Sequence, residues 1–122
     1  MKLEIRSILA AGDIQKERLT LRVKADTDIG DYLICQTGSL GDTPNTDIAV
    51  TCWLPYKELL EGDLVVVYTK SGDPGEKVLK SGKKAHFYYI GSDRPVWNTA
   101  NRGALLLYAP NWDFKLASDL VK

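Results

Sequence analysis

Apolar residues recur at every second position through much of this chain, and that period constrains its fold more than any other feature. Leu19, Leu21 and Val23 alternate with Arg18, Thr20, Arg22 and Lys24, and Leu3 and Ile5 alternate with Glu4 and Arg6. Successive side chains of an extended strand point to opposite faces, so such a segment buries one face only as a β-strand. The pattern resumes in Ile48–Leu54, and Tyr32–Gln36, His86–Ile90 and Ala104–Tyr108 read as further strands. Leu64-Val-Val-Val-Tyr68 is apolar almost throughout and β-branched at its centre, as expected of a central strand covered on both faces.

Between these segments stand glycine, proline, aspartate and asparagine, the residues that favour turns. No helix of 10–15 residues separates the strands, which excludes an alternating βαβ architecture. The expected fold class is all-β: an antiparallel, immunoglobulin-like β-sandwich of seven to eight strands, with Leu21, Val23, Ile34, Val66 and Leu107 in its core. Residues 1–122 read as one domain, with 111–122 a short C-terminal tail. Gly38–Thr46 and Lys70–Lys84 read as loops, the second a mobile one. Tyr56–Glu61 reads as one helical turn stopped at Gly62, and Phe114, Leu116 and Leu120 have helix-compatible spacing.

Sixteen basic and sixteen acidic residues cancel, so the whole molecule has no net attraction for nucleic acid or acidic membranes. Met1–Arg6 lacks the apolar core of a signal peptide, and no apolar run approaches the ~20 residues that span a bilayer. The expected setting is the cytoplasm, with no membrane partner and with Cys35 and Cys52 as reduced, buried thiols.

The order of features resembles the lamin-tail domain, a small immunoglobulin-like sandwich found in lamins, bacterial surface proteins and nuclease-associated proteins. That family opens on a strand with an exposed glutamate, and Glu17-Arg-Leu-Thr-Leu-Arg-Val23 looks like this strand. Asp28-Ile-Gly-Asp-Tyr-Leu-Ile34 looks like the following turn and strand, and Trp53-Leu-Pro55 like the proline-containing strand end. Leu60–Thr69 is similar to the glycine turn and Val-rich strand, and Val96–Tyr108 to the closing segment. Two departures are Glu61-Gly62 in place of Pro-Gly, and Lys24-Ala-Asp26 where an asparagine is usual. Because one fold hosts many functions, the resemblance implies only a binding-module class.

Three groups are candidate sites. Asp26, Asp28 and Asp31 place three carboxylates in one turn, a start toward the about six to eight oxygens calcium takes, although Thr37 stands where an EF-hand needs its bidentate glutamate. Lys77, Lys80, Lys83 and Lys84, together with Lys70, offer positive charge for phosphate contacts beside an aromatic strand. Tyr88, Trp97 and Trp112 are the candidate exposed patch for a protein partner, since Trp and Tyr concentrate binding energy. No catalytic residues are assigned: His86 is the lone histidine, and neither a Gly-x-Ser-x-Gly turn nor a phosphate-binding loop is present. No cofactor is expected. The leading functional expectation is a non-catalytic binding or scaffolding module that engages a protein through a strand edge and aromatic rim. A nucleic-acid-associated accessory domain with weak affinity is the second, and a small hydrolase using converging carboxylates or a metal the third.

Overall fold

A computed structural model describes residues 1–122. The chain is almost entirely β. Its strands are β1 (Leu3–Leu9), β2 (Arg18–Val23), β3 (Thr27–Asp28), β4 (Tyr32–Leu40) and β5 (Thr43–Cys52). They continue as β6 (Glu58–Leu59), β7 (Leu64–Tyr68), β8 (Gly75–Val78), β9 (Lys84–Tyr89) and β10 (Arg102–Tyr108), and one helical turn, α1 (Ala117–Leu120), follows. A five-stranded sheet has the order β1-β2-β7-β9-β8, a three-stranded sheet the order β10-β4-β5, and β3 pairs with β6. No helix is long and apolar enough to cross a membrane.

The two larger sheets share one core. Leu3, Leu19, Leu21, Val23, Val65, Val67 and Tyr88 come to it from the five-stranded sheet, Tyr32 and Ile34 from the three-stranded sheet. Ile29, Leu54 and Leu59 close one side. The alternation in β2 does what its period requires: Leu19, Leu21 and Val23 are buried while Arg22 is exposed. The pairings Leu19↔Val67 and Leu21↔Val65 continue that apolar face into β7. β7 lies between β2 and β9, and Val66 on its other face is buried as well.

Several elements differ from the sequence reading. The two larger sheets together hold eight strands, with the two-residue β3–β6 pair beside them, and the sandwich is not wholly antiparallel, because β9 runs parallel to β7. The chain first doubles back as β8, an exposed edge strand paired antiparallel to β9, and so enters β9 in the direction of β7. Lys70–Lys84 is therefore not one loop. Gly38–Thr46 is not a loop either: β4 and β5 form a long hairpin across Gly41-Asp42, with Gly41 at φ +64°, a conformation glycine adopts without steric cost. Tyr56–Glu61 is extended around β6 instead of helical, because Leu59 is drawn into the core opposite Thr27. Gly62 does take the positive φ expected of it, +88°. Leu107 is 38% exposed and not a core residue, whereas Leu106 packs on the core. The helical tail reduces to Ala117–Leu120, with Phe114 and Leu116 outside it.

Candidate functional site

Three clusters carry the chain's polar and aromatic chemistry. The first is built on Glu17, just before β2 and wholly buried. Its Oε1 accepts hydrogen bonds from the main-chain N–H of Gly12 (2.9 Å) and Trp97 (3.2 Å). Its Oε2 accepts from the Val96 N–H (2.8 Å) and the Thr69 hydroxyl (2.5 Å). Burial acts to raise the pKa, but these four donors outweigh it and hold the carboxyl below the usual range. Gln36, also buried, donates from Nε2 to the Val96 carbonyl and accepts from Arg102, which in turn binds Asp47. Together Glu17 and Gln36 pin the connection between β9 and β10 against both sheets. The exposed glutamate implied by the lamin-tail resemblance is thus a buried structural carboxylate here, since the main-chain donors it must satisfy lie inside.

The second cluster joins Asp63 and His86, whose side chains are 4% and 3% exposed. His86 Nε2 lies 2.9 Å from Asp63 Oδ2 and must carry the proton, since a carboxylate only accepts. Asp63 also accepts from the N–H groups of Leu60 and Lys84. Burial again acts to raise its pKa, and the hydrogen bonds from His86, Lys84 and Leu60 bring it below the ordinary value. His86 Nδ1 has no hydrogen-bond partner and stands 3.7 Å from Glu76 Oε2. Glu76 is held low in pKa by hydrogen bonds and charge from Lys57 and Lys84. The shallow cavity over this cluster, about 220 Å³, is lined by no serine, threonine or cysteine. Burial pushes the thiols of Cys35 and Cys52 up, so neither is an activated nucleophile, and both are free of disulfides.

The third cluster is an aromatic rim beyond the end of β5. Trp112 meets Trp53 edge-on at 6.1 Å between ring centroids and donates its Nε1–H to the Tyr56 hydroxyl at 3.0 Å. Trp53 in turn donates to the Gly30 carbonyl, and the Tyr56 ring sits so tightly on Gly30 that an added Cβ would come within 2.3 Å of it. All three rim aromatics remain more than half exposed. Tyr32, Leu33, Trp53, Ala109 and Trp112 line an apolar pocket of about 170 Å³ here.

No protein-family model matches the chain, and no curated protein matches it.

The residues singled out in the sequence fall unevenly on this geometry. Tyr88, Trp97 and Trp112 do not form one patch. Tyr88 points into the core beside Val67, with its hydroxyl unpartnered and its pKa raised by burial, and Trp97 is half-buried against the core. Only Trp112 is exposed, and its neighbours are Trp53 and Tyr56. Period-two alternation assigns faces within a strand but not which face the opposite sheet covers, so the sequence alone did not separate them.

Asp26, Asp28 and Asp31 do not converge on a metal-binding cluster. Asp26 accepts from the Glu61 N–H, and Asp28 accepts from the N–H groups of Gly30 and Lys57, so Asp28 caps its own turn and both carboxylates tie it to the segment around β6. Among the lysines, Lys84 is paired with Glu76, and the stem of Lys83 lies against Gly62. Lys70 sits over the Tyr68 ring, which stacks on Tyr89. Lys77 and Lys80 are exposed without an ion-pair partner, so the loop charge is split rather than massed.

Proposed function

We propose that this chain is a non-catalytic binding module whose contact surface is the Trp53–Tyr56–Trp112 rim together with the extended segment that leaves it. The observation that supports this most is the state of residues 111–121. Phe114 is 70% exposed, Leu116, Leu120 and Val121 are more than half exposed, and the segment touches the sandwich through Trp112. Isolated exposed apolar residues are ordinary on a protein surface, but five of them within residues 112–121, beside an aromatic rim, favour an interaction site. The lamin-tail likeness, which rests on the order of sequence features and on an all-β sandwich, agrees with a binding-module class.

The rim is also built to persist. Gly30, Tyr56 and Trp53 lock one another through close packing and a hydrogen bond, so a partner meets a pre-organised aromatic surface at little ordering cost. The test compares the parent with Trp53→Ala and Tyr56→Ala variants in quantitative pull-down from cells that express the chain, alongside sedimentation of the purified protein. Rim-dependent retention of a stoichiometric partner, or rim-dependent self-association, is the expected result. Neither in the parent, or either one unchanged in both variants, overturns the proposal.

A further inference from the structure

β8 is the least anchored strand of the five-stranded sheet. It is four residues long, every one of them is exposed, and it pairs only with β9. Gly72 and Pro74 precede it and Gly82 follows, so turn residues stand on both sides. The only side chain of β8 that bonds to the rest of the chain is that of Glu76, which accepts from Lys57 (2.6 Å) and Lys84 (3.2 Å). Both ion pairs are open to water and hold the strand weakly.

Beneath Glu76 lies an unmet acceptor. His86 is its direct cross-strand partner on β9. The ring is buried, its Nε2–H is committed to Asp63, and Nδ1, which then holds a lone pair, has no hydrogen-bond partner. Nδ1 stands 3.7 Å from Glu76 Oε2, so two acceptors face each other across a gap just longer than a hydrogen bond. Buried polar atoms are seldom left in that state. A proton on Nδ1 turns the repulsive contact into an N–H aimed at a carboxylate, and a shift of about 1 Å in β8 brings the pair to charge-assisted hydrogen-bond length.

The surroundings suit a proton. Around the ring stand Asp63 from the turn before β7, Glu76 from β8, Lys57 just before β6, Glu58 in β6, and Lys84 from β9. Three carboxylates against two ammonium groups leave one negative charge for a protonated ring to offset. A divalent metal fits less well, because no third ligand joins His86 and Glu76, and Lys57 and Lys84 already occupy Glu76.

We propose that His86 is a proton-operated latch for the edge of this sheet. With Nδ1 protonated, the ring bridges Asp63 and Glu76 and fastens β8 to β9. With Nδ1 bare, β8 keeps only its main-chain pairing and two open ion pairs. The paired strand binds the Nδ1 proton through Glu76 and the released strand does not, so falling pH favours pairing. The gain persists while Glu76 stays ionised, and hydrogen bonds from Lys57 and Lys84 hold its carboxyl below the usual range. The latch does not rest on the aromatic rim.

His86 is the single histidine, so its ring signals are assigned without ambiguity. The test is an NMR titration of the isotope-labelled chain from about pH 8 to 5, the window in which imidazoles change charge. Hydrogen exchange of the β8–β9 amides, corrected for intrinsic rates, is followed over the same range. Nδ1 is expected to gain a proton while Nε2 keeps its own, and amide protection rises about tenfold along the same curve, as one added charge-assisted hydrogen bond provides. Glu76→Gln, at an exposed position, keeps the fold. Its amide can donate to the bare Nδ1, so acidification adds no protection and removes some. An Nδ1 that stays bare to the end of the titration, protection that ignores the ring's charge, or a parent-like rise in Glu76→Gln overturns the proposal.

Discussion

Replacing Glu17 tests the central physical claim about this fold, that one buried carboxylate holds the β9–β10 connection in place. Glu17→Ala removes the acceptor of three main-chain N–H groups and one hydroxyl at once. Each orphaned buried donor costs about 1–3 kcal/mol, but water entering the space satisfies part of the set, so the expected loss is about 3–5 kcal/mol. Glu17→Gln is milder. With its amide oxygen kept toward Gly12 and Trp97, its NH2 group faces Thr69, whose hydroxyl can turn to accept, and Val96, whose N–H cannot. One orphaned donor plus the lost charge assistance comes to about 2–3 kcal/mol. Thr69→Val removes one donor and leaves the carboxylate three others, costing about 1–2 kcal/mol. The predicted order of destabilisation is therefore Glu17→Ala, Glu17→Gln, Thr69→Val, measured by urea unfolding followed through tryptophan fluorescence.

The pH dependence adds an independent check on the same residue. The folded-state pKa of Glu17 lies below its unfolded value of about 4.3, so the unfolded chain binds more protons between the two. Its contribution is fully present above the unfolded pKa and is lost as pH falls through the folded pKa. The stability gap between parent and Glu17→Gln should therefore be largest near neutrality and shrink on acidification. The parent keeps a further acid-side slope from Asp63, which is shifted in the same direction. A Glu17→Gln protein within 0.5 kcal/mol of the parent at neutral pH, a bound set by ordinary surface substitutions, would refute the reasoning. So would a gap that does not change with pH.

Three further outcomes are expected. Val66→Asp places an unpaired charge at a buried position of central strand β7 and costs more than about 4 kcal/mol, leaving little folded protein by circular dichroism; a cooperative melt near the parent's would contradict the packing. Within residues 1–110, trypsin cuts first at Lys77 or Lys80, exposed on edge strand β8 and the turn after it, and spares Lys84, which lies in β9 and is paired with Glu76 of β8; early cleavage at Arg18 or Arg22 in β2 would count against the assigned edge. Duplex DNA affinity stays in the weak, sequence-independent range of about 10⁻⁴ to 10⁻⁶ M or below, because net charge is zero and several loop lysines are already engaged; nanomolar binding in a fluorescence-anisotropy titration would revive the lysine segment as a site.

What the sequence determined by itself is local and periodic. Alternation in Arg18–Val23 and the apolar run Leu64–Tyr68 is enough to place two core strands, because a strand's side-chain period is two whatever it packs against. The turn at Gly62 is equally local, since a positive φ is a property of one residue. Tertiary structure decided the rest. Which face of β9 is covered depends on the opposite sheet, so Tyr88 became core while Trp53 and Tyr56, distant in sequence from Trp112, became its neighbours. Leu59 joined the core at the expense of a helical turn, because burying its side chain beside β3 outweighs the weak helix preference of six residues. Glu17 looks in sequence like any surface carboxylate. It is structural because its hydrogen-bond donors, Val96 and Trp97, lie about eighty positions away and reach it only when the two sheets close.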